Sequence, residues 1–266
     1  MLSLRDACVR HPASAQFALS EVTLNIAQGE QVALIGPSGA GKTTLLHTLA
    51  GAIELDAGEF FAFGLSPWQL AHAERHALRA RFFLAPQTPP LPPRQRVVSA
   101  VLAGCLPQWG FWKSLASLIR PRDAGIAYDA LARFNLQDKL YLRVDRLSGG
   151  ERQRCGLARL LVSKASVLLV DEPLSALDPT LSLQTLKVLQ QEARDRQATL
   201  VCSLHQVELA RSHFPRIVGL REGRVVFDAA REAVTDEMIA ALYQNADTGE
   251  AGEEPIVPHR LMGAHC

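Results

Sequence analysis

Val32-Ala33-Leu34-Ile35-Gly36-Pro37-Ser38-Gly39-Ala40-Gly41-Lys42-Thr43-Thr44-Leu45-Leu46 decides the fold class of this chain. Its first four residues form a continuous apolar run of the length expected for a strand buried on both faces. The glycine-rich segment 36–43 follows without a gap, and residues 44–50 favour helix. Strand, glycine loop and helix in that order let successive backbone N–H groups converge on one anion, while the helix N-terminus adds partial positive charge. The spacing GxxxxGK[ST] is that of a nucleotide phosphate loop. Gly36, Gly39 and Gly41 permit torsions and close approaches that a Cβ would block. Lys42 reaches the β/γ-phosphates, the Thr43 hydroxyl can ligate Mg²⁺, and Pro37, Ser38, Ala40 and Thr44 complete the cradle. Gly51 is placed to end the helix.

The bulk properties fit one such domain. A chain of 266 residues is long for a single domain and short for two, so one α/β nucleotide-binding domain with a smaller inserted lobe is the expected size. The 28 basic and 27 acidic residues nearly cancel, so the chain lacks the overall field typical of nucleic-acid binders, and nucleic acid is not an expected partner. Cys8, Cys105, Cys155, Cys202 and Cys266 lie far apart with no CxxC pair. That spacing argues against a zinc knuckle and a disulfide framework and for a reducing compartment. Arg5 and Asp6 stand where a signal peptide would need its apolar core. The most membrane-like stretch, 97–119, is interrupted by Pro107, Gln108 and Lys113 and does not span a bilayer.

Outward from the loop, short apolar or alternating runs at 2–9 and 22–26 predict an antiparallel lobe ahead of it, with Gln28-Gly29-Glu30 as a turn. Residues 68–80 suit a polar helix, and 81–85 a short buried strand that ends at Pro86-Gln87. Thr88-Pro89-Pro90-Leu91-Pro92-Pro93 is too proline-rich for helix or central strand, so the chain leaves the core there. From Val97 to about Leu147 apolar residues recur at helical spacing, broken near Pro121 and Asn135, as for several short helices. Trp109-Gly110-Phe111-Trp112 reads as a loop or a partner surface. A hairpin with a Glu222-Gly223 turn is expected over 216–227, and a last helix over 236–243.

Ser166-Val167-Leu168-Leu169-Val170 reads as a parallel strand covered on both faces, and it ends in Asp171-Glu172. Open α/β sheets bind ligands at the C-terminal edge of their strands, so this acidic pair and the phosphate loop can meet around one nucleotide. After an amphipathic helix near 180–195, residues 198–204 make another buried strand, whose end presents His205. Between loop and acidic strand lies Leu147-Ser148-Gly149-Gly150-Glu151, followed by a helix over 152–162. Ser148 with the N–H groups of Gly149 and Gly150 at a helix start forms a second anion site. Taken alone, the same five residues are also a helix cap, with Glu151 completing a capping box.

The Leu147–Glu151 segment, set beside a phosphate loop and an acidic pair, resembles the signature motif of ABC ATPases. The resemblance runs over about residues 2–243, because the remaining family elements follow in order: Gln87 matches the Q-loop, Ser175-Ala176-Leu177-Asp178 the D-loop and His205 the switch histidine. It implies an α/β P-loop NTPase fold of ABC ATPase type, with an antiparallel β lobe and an inserted helical subdomain. The ATP-binding domain would cover 1–245, the helical subdomain with the signature motif 88–160, and a disordered tail 246–266. By the same resemblance ATP and Mg²⁺ are the expected cofactors. Asp171, Thr43 and Gln87 would hold the Mg²⁺ shell, Glu172 would polarise the attacking water, and His205 would contact the γ-phosphate. Ser148, Gly149 and Gly150 would meet the γ-phosphate of ATP held by a second copy, so that a homodimer packs head to tail around two nucleotides. No tyrosine marks the adenine-stacking position upstream of the loop. His11 is the first candidate there and Phe17 the second, with Phe17 equally readable as a core residue of the first lobe.

A cassette without a fused membrane span looks like the ATPase subunit of a bacterial-type importer. Its partners would be integral membrane permease subunits and, indirectly, a periplasmic or extracellular solute-binding protein, and it would sit peripherally on the cytoplasmic face of the inner or plasma membrane. The stretches 202–210, 219–228 and 234–237, with Leu102-Ala103-Gly104 and Arg133-Phe134-Asn135-Leu136, are similar to phosphonate importer ATPases. Amino-acid, metal and exporter-type systems share every nucleotide residue and stay open. A soluble ABC ATPase acting on DNA or ribosomes would normally add a coiled coil, zinc modules or a second cassette. A P-loop kinase would leave the signature and D-loop segments unexplained.

Overall fold

The computed structural model describes residues 1–10, 16–110 and 123–244. His11, Phe111, Trp112, the break at Pro121 and the expected tail over 246–266 lie outside them.

Two sheets share the chain. β1 (Leu2–Arg10), β2 (Phe17–Ile26) and β4 (Ala57–Ala62) form a small antiparallel sheet in the order β2-β1-β4. β3 (Gln31–Ile35) opens the larger sheet and runs through the glycine loop into α1 (Lys42–Leu49). After α2 (His72–Arg79) and β5 (Phe82–Ala85) come α3 (Val97–Leu102), α4 (Ala124–Ala132) and α5 (Gly149–Val162). β6 (Val167–Val170), α6 (Pro179–Asp195), β7 (Thr199–Ser203), α7 (Val207–His213), β8 (Arg216–Arg221), β9 (Arg224–Ala230) and α8 (Asp236–Tyr243) complete the described chain. The large sheet has the order β5-β6-β7-β3-β8-β9, parallel except for the β8–β9 hairpin at its edge.

Burial explains why the central strands read as unbroken apolar runs. Alternate residues of one strand belong to different cores: Val32 and Leu34 of β3, Val167 and Leu169 of β6, and Val201 of β7 pack toward α1 and the antiparallel sheet. Ala33 and Ile35, Leu168 and Val170, and Leu200 and Cys202 pack on the other face, in a core shared with α3 to α6. A strand with both faces buried has no polar side to alternate with.

On that second face α3 and α4 pack on α5, giving the group of short helices expected after the prolines. Asn135, at φ 55°, sits in the break after α4. The proline segment is seated on α5 itself, since a Cβ on Gly156 would lie 2.6 Å from Pro89 Cγ. At the far end of α5 the Arg196 guanidinium donates to the Leu161 and Ser163 carbonyls and so satisfies its last turn.

Several expectations are adjusted. The signature helix starts at Gly149, three residues before the expected Arg152, and β9 runs on to Ala230. β4 carries no clear alternation and was not foreseen; pairing with β1 makes it a strand. Among the described residues no helix is long and apolar enough to cross a membrane, and Cys8, Cys105, Cys155 and Cys202 form no disulfide.

Candidate functional site

The glycine loop leaves β3 at the C-terminal edge of the large sheet and is held from outside by residues remote in sequence. Gly36 has φ 152°, and a Cβ there would lie 2.1 Å from the Leu220 carbonyl oxygen of β8. Gly41 has φ 98°, and its Cβ would meet the Ala18 carbonyl oxygen at 2.6 Å. Gly223, in the β8–β9 turn, donates its N–H to the Ala40 carbonyl at 3.1 Å and accepts from the Ser20 N–H at 2.9 Å. The hairpin tip and the start of β2 therefore brace the loop, and two of its glycines are required because backbone presses on them.

Lys42 begins α1 with its side chain buried inside the loop it follows. Its ammonium donates to the Gly36 and Pro37 carbonyls at 2.8 and 2.9 Å, which uses two of its three donors. Burial pushes its pKa below the ordinary lysine value, against the opposing pull of Glu172 and Asp171. Gly51, at φ 63°, ends α1 and donates to the Thr48 carbonyl at 2.9 Å.

The acidic pair stands at the end of β6, beside this loop. The Thr43 hydroxyl donates to Asp171 Oδ2 at 2.8 Å, and the Ser203 hydroxyl donates to Asp171 Oδ1 at 2.6 Å. Asp171 is thus fixed from α1 on one side and from β7 on the other, with its own N–H donating to Ala85 of β5 at 2.8 Å. Thr43 and Asp171 together offer hard oxygen donors within reach of one small cation, the donor type that Mg²⁺ takes.

Glu172 is the most constrained residue of the site. It lies at φ 44°, in the left-handed region that side-chain-bearing residues rarely occupy. Its N–H donates to the Ser203 hydroxyl at 2.9 Å. One carboxylate oxygen accepts from the Gln87 amide at 2.7 Å, and the other lies 2.5 Å from His205 Nε2. Three loops that follow different strands, β5, β6 and β7, therefore converge on one carboxylate. Gln87 meets Glu172 here rather than Asp171; its amide nitrogen is the atom engaged, and the amide oxygen is the atom a cation would use.

The segment expected to form a second anion site lies at an exposed helix end. Ser148 caps α5: its hydroxyl accepts from the Glu151 N–H at 3.2 Å, while Glu151 Oε2 accepts from the Ser148 N–H at 2.8 Å. The capping box read from the sequence is present, and it leaves the first-turn N–H groups of Gly149 and Gly150 free of it. Ser148 and Gly149 are exposed. Gly150 lies against the D-loop, where a Cβ would stand 2.8 Å from the Ala176 carbonyl oxygen. The D-loop ends in Asp178, which caps α6 by accepting from the Leu181 N–H at 3.0 Å.

Lys42, Thr43, Gln87, Asp171, Glu172 and His205 thus gather along one sheet edge, whereas Ser148, Gly149 and Gly150 open onto the surface at the head of α5. Phe17 begins β2 and is 45% exposed, with the Arg10 guanidinium 5.4 Å from its ring centroid. It is not a core residue of the first lobe. Sequence reasoning missed Ser203 and Gln153, and read Gly223 as a turn residue without its contact to the loop. A polar residue closing an apolar strand is the signal that could have singled out Ser203.

Comparison with known proteins sharpens this picture. The family profile described as "ABC transporter" matches residues 19–175. The chain is 57% identical to "Phosphonates import ATP-binding protein PhnC 2" of Albidiferax ferrireducens, over 91% of this chain and 88% of that protein. It is 56% identical to "Phosphonates import ATP-binding protein PhnC" of a Polaromonas species, over 91% and 88%. Among solved structures, the dimeric post-hydrolysis state of the ATP-binding cassette MJ0796 bound to ADP and Pi is similar at a TM-score of 0.76 and 25% identity, covering 88% of this chain and 100% of that one.

Proposed function

This chain belongs to the ABC transporter family as an ATP-binding, ATP-hydrolysing subunit, and we propose that it powers import of a phosphonate or related oxyanion through a separate membrane permease. The observation that carries the solute class is the 57% identity over 91% of the chain to a phosphonates import subunit. The relatives reported above carry import names, which weighs against the reading as a soluble cassette on DNA or ribosomes. Family membership implies permease partners and a dimeric ATPase. The finer reading is that two copies pack head to tail, that the cassette spans 1–245 with a helical subdomain over 88–160, and that it sits peripherally on the cytoplasmic face of the membrane. A periplasmic or extracellular binding protein would deliver the solute.

The chemistry follows from the side chains. Loop N–H groups and the Lys42 ammonium bind and orient the β/γ-phosphates, which places the terminal phosphoryl group beside Glu172. Thr43 and Asp171, with the amide oxygen of Gln87, would hold Mg²⁺. When bound, that ion neutralises charge on the phosphate oxygens and stabilises the leaving group. Glu172 orients the attacking water, and His205 contacts the γ-phosphate from the end of β7. Ser148, Gly149 and Gly150 complete the site of the other copy, because donors at this helix start suit an anion that does not belong to their own loop.

Affinity purification of the tagged chain from detergent-solubilised native membranes tests the reading. A polytopic permease retained after a salt wash, accompanied by a binding protein selective for phosphonates, is the expected result. Recovery of soluble partners alone would overturn the importer reading and leave the ATPase assignment standing. For the chemistry, Glu172→Gln should bind MgATP and hydrolyse it at least about 100-fold more slowly. A wild-type rate in that variant would remove Glu172 from the mechanism.

A further inference from the structure

Gln153 lies on α5 two residues beyond the signature segment, and it is only 4% exposed. Its amide nitrogen donates to the Glu172 carbonyl at 2.8 Å and to the Ser175 hydroxyl at 3.3 Å. Its amide oxygen accepts from the Ala176 N–H at 3.2 Å. Both ends of the amide are therefore spent on residues 172–176, the segment that carries the carboxylate and opens the D-loop.

A left-handed Glu172 persists only if its surroundings over-determine it, since such a conformation costs about 1–3 kcal/mol. Three of its groups are pinned elsewhere: the N–H by Ser203, and the two carboxylate oxygens by Gln87 and His205. The carbonyl is the fourth. The short bond to it comes from Gln153, while the local Ser175 hydroxyl and N–H reach it at 3.2 and 3.4 Å. A part-buried carbonyl stripped of its best donor would let the Glu172 torsions relax, and the Cα–Cβ bond that aims the carboxylate is free to shift with them.

We propose that Gln153 is a positioning residue for ATP hydrolysis. It holds the Glu172 peptide in its left-handed turn, so that the carboxylate stays between Gln87 and His205, and it fixes the D-loop backbone to the signature helix. The proposal rests on the reading of Glu172 as the water-orienting carboxylate.

The test is steady-state ATP hydrolysis and equilibrium ATP binding by the purified full chain carrying Gln153→Ala, Gln153→Glu or Glu172→Gln. Gln153→Ala is expected to lower kcat about 10- to 100-fold while KM and ATP affinity stay within about threefold, because the lost constraint acts on the carboxylate and not on the phosphate loop. Gln153→Glu keeps an acceptor for the Ala176 N–H, but when ionised it has no proton to offer the Glu172 carbonyl. Protonated, it donates as glutamine does. Burial raises the pKa of such a carboxyl, and its kcat relative to wild type at the same pH should therefore recover as pH falls through that group's titration. The fall in kcat without a matching change in KM or ATP affinity in Gln153→Ala is what a residue that merely fills space would not show. Wild-type kcat in Gln153→Ala, or a ratio for Gln153→Glu that does not change with pH, overturns the proposal with the ATPase reading intact. Should Gln153→Ala fail to fold, the pH ratio of Gln153→Glu decides alone. A wild-type rate in Glu172→Gln overturns the proposal together with the reading beneath it.

Discussion

Ser203, the last residue of β7, donates its hydroxyl proton to Asp171, just past the end of the neighbouring strand β6, at 2.6 Å. The same oxygen accepts from the Glu172 N–H at 2.9 Å, so one serine orders both acidic residues. Ser203→Ala leaves a part-buried N–H without its acceptor and a buried carboxylate without one of its two side-chain donors. Unfolding by urea should show a loss of about 1–3 kcal/mol. The Mg²⁺ concentration needed for half-maximal hydrolysis should rise, since Asp171 is then oriented by Thr43 alone. Unchanged stability and unchanged Mg²⁺ dependence would show that Ser203 orders neither residue.

Lys42 carries a pH signature. Burial lowers its pKa, and a lysine with a folded value below its unfolded one binds fewer protons folded than unfolded in the window between them. Stability therefore rises with pH through that alkaline window, and the cost of the buried charge is carried in full below it. Lys42→Met removes this contribution, so its stability should lack the alkaline rise that wild type shows in denaturant titrations at stepped pH. ATP affinity should fall about 10- to 100-fold with the loss of the charged donor. Retained affinity would contradict the placement of phosphate at this loop.

The glycines of the loop are not equivalent. Gly39 is at φ 74° with nothing within 4 Å of an added Cβ, so Gly39→Ala meets only torsional strain of about 1–2 kcal/mol. Gly41→Ala and Gly223→Ala add contacts of 2.6 and 2.7 Å to the Ala18 carbonyl oxygen on top of similar strain. Each should cost about 2–4 kcal/mol. Thermal melts would rank Gly41→Ala and Gly223→Ala below Gly39→Ala. The second of these is the sharper result, because Gly223 belongs to a hairpin far along the chain from the loop it supports. A Gly223→Ala protein as stable as Gly39→Ala would mean that the hairpin tip does not brace the loop.

How much of this was legible depended on whether the cause was local. Residues 167–170 read as a buried parallel strand because two cores demand apolar side chains at every position. The Glu222-Gly223 turn was legible from residue type, and both residues take positive φ. That the turn rests on Ala40 was not, since nothing near it in sequence records a contact so distant. Ser203 was hidden for the same reason: a serine closing a strand looks ordinary until β6 is set beside it. Gln153 looked like one more polar residue of a charged helix, and only packing shows it buried. The start of α5 was misjudged because Gly149 and Gly150 weigh against helix locally, whereas the Ser148–Glu151 box overrides them.

That box also separates the two roles open to Ser148. As a helix cap, serine is matched by aspartate and poorly replaced by alanine, which typically costs about 1 kcal/mol. As part of a second copy's anion site, alanine keeps the N–H donors of Gly149 and Gly150, while aspartate places a negative charge against the arriving phosphate. The two roles therefore order the same substitutions differently. Thermal stability should fall in the order Ser148, Ser148→Asp, Ser148→Ala, with the first two nearly equal. Dimer formed by Glu172→Gln at saturating MgATP, followed by light scattering, should fall in the order Ser148, Ser148→Ala, Ser148→Asp, with the last monomeric, as Ser148→Arg should be through its bulk. If Ser148→Asp dimerises like its parent, the serine only caps α5, and the head-to-tail arrangement loses its support from this residue.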